Sequence, residues 1–425
     1  MERKITLFFQ KWKNDIIKKP LVVYGPKQIG KTFTVLDFGK TEYKNVVYFN
    51  ATYNEELIEL FKKEKSIDKI ILNLSLLSGE TILKEDTLIV FDNVDDIEVV
   101  KGVKLFGNSK TEYHIIMITS RRENLTEFKG EELQFKGMSG LDFEEFLWAS
   151  KERQLANQIR NSFEKHRSCS FHKVALDLFL EYLETGGMPE VICAKLNGFN
   201  TYQIIAIKDK ILNAYKKEIA LNPVLIDIPR GLEVLDSLPR QLAKENKKFQ
   251  YGLLGQGRRA KEYESAINYL VNNQIVYRSY KITSVRPVLS SCREKDSFKL
   301  YLNDDGLLYS MLHLTDKKIL ADESLKETIY ENHIAKTLIE AGFALNYYQS
   351  AGKAEVNFVV QNRMGKVIPI ELTVKSMSKA KSLSVFMKKY TTEEAYRITE
   401  NNFSTKKGVR YLPIYATFCL NDSKI

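Results

Sequence analysis

The sequence lacks several features that would assign it to common protein classes. It has no apolar run of about 18 residues, which excludes a membrane-spanning helix, and its N-terminus is too interrupted by charge for a signal peptide. Its four cysteines, Cys169, Cys193, Cys292 and Cys419, lie far apart and form no C-x-x-C pair. That spacing argues against a zinc site and against a disulfide framework, and the five histidines show no ligand spacing either. We therefore expect a cytoplasmic protein without a membrane segment.

Basic residues exceed acidic ones, and the excess is uneven along the chain. The formal net charge is +10 and the isoelectric point is near 9.0. Seven basic residues and a single acid, Glu245, fall between Arg240 and Lys261, and five lysines without an acid fall between Lys375 and Lys389. This balance permits a polyanionic partner without requiring one.

The first third of the chain has the pattern of a parallel α/β sheet. Four short apolar runs, at 20–25, 46–49, 87–91 and 114–118, are separated by helical patterns. Such runs are typical of strands buried on both faces, so we predict an α/β domain of doubly wound type. Helical patterns dominate from 143 to about 221, and mixed helices and strands follow. A length of 425 residues favours two to four domains.

The first apolar run ends in a phosphate-binding motif. The segment Gly25–Thr32, GPKQIGKT, fits G-x-x-x-x-G-K-[ST] without a mismatch and stands between a strand and a helix. In this motif backbone N–H groups and the helix N-terminus bind phosphates, Lys31 neutralises the β- and γ-phosphates, and Thr32 ligates magnesium. We predict a site for ATP and Mg²⁺. The predicted nucleotide contacts are Gly25, Pro26, Lys27, Gln28, Ile29, Gly30, Lys31, Thr32 and Phe33.

Two further strand ends are expected to complete this site. Asp92 ends the third apolar run, where a carboxylate would hold magnesium beside Thr32. Ser120 follows the fourth run and is a candidate contact for the γ-phosphate or the attacking water, although a plain polar strand end fits almost as well. Arg121 and Arg122 are solvated arginines or, alternatively, groups that reach a neighbouring subunit's nucleotide.

Motifs spread over nearly the whole chain resemble those of a group of prokaryotic AAA-type ATPases with an uncharacterised C-terminal, nuclease-like domain. They are Gly25–Thr32, Leu88–Asp92, Leu141–Trp148, Tyr182–Glu190, Leu238–Asn246, Phe298–Leu302, Gly306–Leu308, Glu331–Asn332, Ala354–Phe358, Ile368–Glu371, Lys381–Leu383 and Leu412–Tyr415. The resemblance implies four parts. These are an ATPase core (1–140), a helical lid (141–222), a winged-helix-like segment (223–318) and a domain resembling restriction endonucleases (319–425).

The sequence departs from this group at the second strand end. The group usually has Asp-Glu there, and its glutamate polarises the attacking water, whereas this chain has Asp92-Asn93. An amide orients a water but cannot accept its proton, and a positioned base typically contributes about 10²–10⁴-fold. We therefore expect nucleotide binding with slow hydrolysis, unless Asp95 or Asp96 takes the part of the base.

The nuclease-like domain also departs from the group at residues that catalysis would need. The resemblance aligns the group's metal carboxylates and lysine with Glu331, Asn357, Glu371 and Thr373, so one carboxylate has become an amide and the lysine a threonine. Lys375 would share the face of Thr373 on a continuous strand, which leaves a narrow route to nuclease chemistry. We predict that the site is degenerate.

The basic run in the winged-helix-like segment is a candidate nucleic-acid surface. Its members are Lys244, Lys247, Lys248, Arg258, Arg259 and Lys261, with Phe249 and Tyr251 among them. A solvated basic face or a protein-binding wing explains the run equally well.

Three functions remain open from the sequence. The favoured one is a nucleotide-gated switch, or slow ATPase, that acts on a nucleic-acid or protein partner. The alternatives are a fully active ATPase that remodels its partner and, less favoured, an ATP-regulated DNA nuclease. ATP over GTP rests on the resemblance, and the oligomeric state stays open.

Overall fold

A computed structural model describes residues 1–52, 54–108, 112–120, 131–221, 228–314, 322–350, 355–374 and 380–421. The chain divides into two compact units, Met1–Gly140 and Leu141–Ile425.

The first unit alternates helices and strands. Its helices are α1 (Lys4–Lys13), α2 (Lys31–Glu42), α3 (Glu55–Lys63), α4 (Ile67–Ser78) and α5 (Ile97–Asn108). Its strands are β1 (Leu21–Tyr24), β2 (Asn45–Asn50), β3 (Thr87–Asp92), β4 (His114–Thr119) and β5 (Gln134–Gly137). The strands form one sheet in the order β2-β3-β4-β1-β5, and every neighbouring pair is parallel.

The four predicted strands of this sheet are confirmed, and a fifth strand, β5, was not predicted. Every residue of β3 and β4 is buried, because helices cover both faces of a parallel sheet. The sequence of β5, QFKG, is short and none of its residues is buried, so it carries no apolar run. It adds to the edge of the sheet beside β1 by backbone pairing, which periodicity does not report.

The second unit begins with helices. The stretch predicted to be helical forms α6 (Phe143–Ala149), α7 (Arg153–Glu164), α8 (His172–Thr185), α9 (Pro189–Leu196) and α10 (Thr201–Ala220). Capping boxes at Asp142 and Asn200 begin α6 and α10, since each cap side chain accepts from the third helical N–H. The next helices are α11 (Ile228–Leu242) and α12 (Ala260–Asn272).

Two mixed sheets complete the second unit. The first, in the order β7-β6-β8-β9, joins β6 (Val276–Ile282), β7 (Arg293–Leu302), β8 (Asn346–Gln349) and β9 (Glu355–Val356). The second, in the order β10-β11-β12-β14-β13, joins β10 (Phe358–Gln361), β11 (Val367–Leu372), β12 (Ala395–Thr399), β13 (Ser404–Lys406) and β14 (Val409–Pro413). The helices α13 (Asp305–Met311), α14 (Glu323–Glu340) and α15 (Ala380–Tyr390) lie between these strands in the chain.

Within the described ranges, no helix combines the length and the apolar character that a bilayer crossing requires.

Candidate functional site

The loop between β1 and α2 is shaped to bind phosphate. Gly30 has φ = +83°, a left-handed conformation that glycine adopts without strain, and it stands directly before the N-terminus of α2. At Gly25 a Cβ atom would lie only 2.1 Å from the Met138 carbonyl oxygen, so only glycine fits. Lys27 and Gln28 are exposed at the tip of the loop, whereas Ile29 is buried beneath it. Phe33 is exposed on α2.

Lys31 is buried, and its ammonium group is held in the loop. Its Nζ atom donates to the carbonyl oxygens of Gly25, at 2.9 Å, and Pro26, at 2.6 Å. It also lies 3.2 Å from Ser120 Oγ, at the end of β4. The structure therefore brings Ser120, the predicted strand-end serine, to the lysine that we predict to bind phosphate.

Asp92 connects the loop to the end of β3. The Thr32 hydroxyl donates to Asp92 Oδ2 at 2.7 Å, the Tyr48 hydroxyl donates to the same oxygen at 3.0 Å, and the Asn93 N–H donates to Oδ1 at 2.8 Å. All three donors are neutral, so none of them forms an ion pair with the carboxylate. Burial, and then the Asp92 carboxylate, raise the pKa of Tyr48 to about 12, so its hydroxyl stays protonated.

These contacts suit a magnesium–nucleotide complex. A buried carboxylate and a threonine hydroxyl, joined by one hydrogen bond at the end of a phosphate-binding loop, are hard oxygen ligands of the kind that Mg²⁺ takes. Thr32 and Asp92 would hold the ion, directly or through water, and Lys31 would meet the phosphates. When bound, the ion neutralises phosphate charge.

Asn93 occupies the position where a general base would be expected. It has φ = +54°, its side chain is exposed, and its amide nitrogen lies 3.5 Å from Asn50 Oδ1. Asp96 accepts from the Glu98 N–H at 2.8 Å and so caps the start of α5. Its carboxylate therefore has a structural partner. Arg121 and Arg122 lie outside the described residues.

Tyr48 and Arg3 contribute to this site and were not predicted. Arg3 is buried before α1 and donates to the carbonyl oxygens of Ile29, at 3.0 Å, and Ser139, at 2.6 Å. It thereby ties the phosphate-binding loop to the segment after β5. Nothing in the sequence distinguishes one arginine in a charged N-terminus, but the position of Tyr48 near the end of a predicted strand could have indicated its contact with Asp92. Tyr48 lies two residues before Asn50, which pairs with Asp92 in the parallel register of β2 and β3.

The residues aligned with a nuclease centre also lie close together, in the second unit. Asn357, between β9 and β10, donates from Nδ2 to Glu331 Oε2 at 3.1 Å. Its Oδ1 atom accepts from the N–H of Leu372, the residue after Glu371, at 3.1 Å. One amide therefore joins α14 to β11.

Both carboxylates of this cluster are neutralised by cations of the protein. Lys299 Nζ donates to Glu331 Oε1 at 3.0 Å, and Lys247 Nζ lies 3.3 Å from Glu331 Oε2. Burial disfavours ionisation of Glu331, but the two lysines outweigh it and hold its pKa well below the usual range. Arg397 donates to Glu371 Oε2 from Nε, at 2.8 Å, and from a terminal nitrogen, at 2.7 Å.

This arrangement does not fit a divalent metal. Asn357 and Thr373 supply no negative charge, and protein cations already stand beside Glu331 and Glu371. Across the part of the chain that the structure describes, no group of three or more histidine, cysteine or acidic side chains is arranged to hold a metal ion. Lys375 falls outside the described residues.

The basic run of the second unit does not form one surface. We predicted Lys247 as a nucleic-acid contact, but it is buried and its ammonium group lies beside Glu331 and, at 3.9 Å, Glu327. Lys244 donates to Gln241 Oε1, at 3.1 Å, and to the Lys248 carbonyl oxygen, at 3.2 Å. The run therefore stabilises its own fold at Lys247 and Lys244.

The remaining members of the run are half-buried or exposed. Lys248 is half-buried, and Arg259 and Lys261 are exposed at the start of α12. Arg258 is exposed and pairs with Glu233 at 3.0 Å. The exposed cations of this run are thus confined to the start of α12 and the two residues before it.

Comparison with known families separates the chain into three matched segments. Residues 17–147 match the AAA domain, residues 176–318 match a domain of unknown function, DUF8612, and residues 326–417 match another, DUF4143. No curated protein matches the chain significantly. The AAA match covers the parallel sheet, the phosphate-binding loop and Asp92, so the first unit contains an AAA-type, ATP-binding P-loop domain.

Two solved structures share limited similarity with the chain. The Aeropyrum pernix ORC1 protein, solved in complex with DNA, is 12% identical, with 77% of this chain and 94% of that chain covered at a TM-score of 0.31. The Thermotoga maritima RuvB Holliday junction branch migration motor is 10% identical, with 65% and 87% covered at a TM-score of 0.30. TM-scores this low do not define a shared architecture over the whole chain.

Proposed function

We propose that this protein is a nucleotide-gated switch that binds ATP with Mg²⁺ and hydrolyses it slowly. The observation that carries the proposal is the contrast between Asp92 and Asn93. Asp92 is buried, oriented by Thr32 and Tyr48, and next to the loop that holds Lys31. Asn93, one residue on, presents an amide where catalysis needs a carboxylate.

Binding and turnover use different groups of this site. Lys31, Thr32 and the loop backbone would contact phosphates that are charged before hydrolysis begins, so they support nucleotide binding without any proton transfer. Hydrolysis also needs a group that takes a proton from the attacking water, and Asn93 cannot. ATP occupancy then lasts long enough to act as a state of the protein, in which a partner meets the second unit differently.

The test compares nucleotide binding with phosphate release in three proteins. The wild-type chain should bind ATP in a magnesium-dependent manner and release phosphate slowly. Lys31→Ala should lose binding, because it removes the cation that meets the phosphates. Asn93→Glu should keep binding and raise the single-turnover rate by about 10²-fold or more, because it supplies the missing base.

Two results would contradict the proposal. Fast phosphate release by the wild-type protein that disappears in Lys31→Ala would instead support the active remodelling ATPase. Wild-type binding that survives in Lys31→Ala would place the nucleotide elsewhere in the chain.

We also propose the finer architecture that the resemblance implies. The helices α6–α10 would act as the lid, α11, α12 and the β6–β7 hairpin as a winged-helix-like segment, and the last hundred residues as a restriction-endonuclease-like domain without nuclease activity. The neutralised carboxylates support that last part. Magnesium-dependent cleavage of DNA by the purified protein, lost in Glu371→Gln, would overturn it.

A further inference from the structure

A groove in the second unit, lined by residues of α12, β6 and β7, carries more cationic than anionic side chains. Its volume is about 830 Å³, which is in the range of ligand sites. Four cations and two carboxylates line it, which leaves two positive charges in excess. The cations are Lys261, Arg278, Arg293 and Lys295, and the carboxylates are Glu264 and Asp296.

The cations of this groove differ from those around it. None of the four forms an ion pair with a carboxylate in the described ranges. Two cations just outside the groove are paired instead: Arg258 with Glu233, at 3.0 Å, and Lys281 with Glu294, at 3.1 Å. The two carboxylates of the lining therefore leave two of the groove's four positive charges without an opposite charge in the lining.

Neutral partners fix the two arginines in place. Arg278 donates to the Tyr280 hydroxyl and to Asn268 Oδ1, both at 2.9 Å. Arg293 donates from Nε to Asn346 Oδ1 at 2.7 Å. A hydroxyl and two amide oxygens orient the guanidinium groups without cancelling their charge, so the arginines are set in advance for an anionic ligand.

Two of the aromatic rings that line the groove, Tyr280 and Phe298, lie against these arginines. The Arg278 guanidinium lies 5.0 Å from the Phe298 ring centroid and 5.6 Å from that of Tyr280. The Arg293 guanidinium lies 5.1 Å from the Tyr280 centroid. Tyr251, half-buried, adds a third ring at the edge. Planar guanidinium groups and aromatic rings therefore lie together in this groove, and nucleobases stack on both kinds of surface.

We propose that this groove binds a short single-stranded segment of nucleic acid, with phosphates on Lys261 and Lys295 and bases against the guanidinium and aromatic planes. A duplex keeps its bases stacked inside, so it would use the charges of the groove alone and leave the rings without a partner. An acidic peptide would also meet the charges but has no planar groups for the rings. This single strand would be the partner of the proposed nucleotide-gated switch. Its binding is measured without ATP, so that a failure to bind nucleic acid is distinguishable from a failure to bind nucleotide.

The experiment measures binding of a fluorescent single strand of about 12 nucleotides, as oligo-dT and oligo-rU, to the full chain by anisotropy. Lys261→Gln/Lys295→Gln removes two exposed groove charges, and Arg258→Gln/Lys281→Gln removes two paired charges outside the groove. The first pair should weaken binding about tenfold or more and reduce the slope of log affinity against log salt by about 1.4. The second pair should change binding less than about threefold.

A third variant, Tyr251→Leu, tests stacking. It should weaken binding to the single strand about tenfold and leave the salt slope unchanged, because it removes a ring and no charge. Thermal melting of each variant establishes that it is folded.

Three outcomes would overturn the inference. An equal loss in both charge pairs would place binding outside the groove. Duplex DNA of the same length that binds as tightly would exclude the single-strand assignment, and poly-glutamate that binds as tightly would exclude nucleic acid as the class. Magnesium-dependent ATP binding would remain in any of these cases, so the proposed switch would stand.

Discussion

Asp92 in the first unit and Glu331 in the second are both buried acids, and their surroundings make them opposites. Asp92 accepts from two hydroxyls and a backbone N–H, all of which are neutral. Glu331 accepts from Lys299 and Tyr301 and lies beside a second lysine, Lys247. Neutral donors orient a carboxylate without compensating its charge, so it can bind a cation from solution. Lysines beside a carboxylate form ion pairs with it within the protein.

We therefore predict that Glu331 contributes much more to stability than Asp92 does. The variants below are ordered by their expected effect on the free energy of unfolding.

Glu331→Ala should have the largest effect. It leaves Lys299 buried against Glu355 alone and removes the nearer of the two carboxylates beside Lys247, and breaking a buried ion pair costs about 3–5 kcal/mol. Urea unfolding at neutral pH measures the loss. A double variant, Lys299→Met/Glu331→Leu, should recover part of it, since no charge of that pair remains and only Lys247 and Glu355 have lost a partner. A loss below about 1 kcal/mol in the single variant would show that the pair is not built into the fold.

Glu340→Gln tests a third acid, on the same helix as Glu331. Its Oε1 atom is buried without a hydrogen-bond partner in the described structure. Burial raises its pKa to about 8, Lys336 opposes the rise, and Asp142, Asp305 and Glu145 add to it. The folded protein therefore holds a proton on Glu340 that the unfolded chain releases near its ordinary pKa, so stability should fall as pH rises from about 4.5 to 8.

In Glu340→Gln this decline should be absent, and the variant should be more stable than wild type by about 1–3 kcal/mol at pH 9. Unfolding free energies across that pH range test it, and parallel pH profiles of the two proteins would contradict it. The pH dependence of stability that Glu331 causes has the opposite sign. The pKa of Glu331 is lowered, so its contribution is present above its ordinary pKa and is lost as the pH falls below it.

Tyr48→Phe should cost about 1 kcal/mol, because it removes a partly exposed hydrogen bond to a carboxylate that keeps Thr32 as a donor. Thermal unfolding measures the loss. ATP affinity, followed by calorimetry, should change less than Thr32→Val changes it. A larger effect of Tyr48→Phe would make the tyrosine, rather than the threonine, the main contact of Asp92.

Asp92→Asn should cost about 1 kcal/mol, of the order of Tyr48→Phe and far below Glu331→Ala, because in the described structure this carboxylate accepts hydrogen bonds and is paired with no cation. Its effect should appear in binding instead, as a loss of the magnesium dependence of ATP affinity. A large destabilisation of Asp92→Asn, like that of Glu331→Ala, would remove the distinction between the two acids.

The sequence predicts the local part of this molecule well. Gly25, Lys31 and Thr32 lie within eight residues, and strand endings place Asp92 and Ser120, so motif and periodicity suffice. The pairing of Lys247 with Glu331 joins residues more than eighty positions apart, and a lysine in a basic run gives no sign of it. Backbone pairing at β5 and the contacts of Arg3 are hidden for the same reason.

The amide of Asn357 has a consequence for how this chain changes over generations. Its nitrogen donates to Glu331 and its oxygen accepts from the Leu372 N–H, so both ends of one small group are in use. Aspartate at this position would lose the donor and face Glu331 with a like charge, and an apolar residue would lose both contacts. Both kinds of change therefore give a less stable protein, so a single substitution to the aspartate that the resemblance expects at this position is disfavoured unless Glu331 or its lysines change as well.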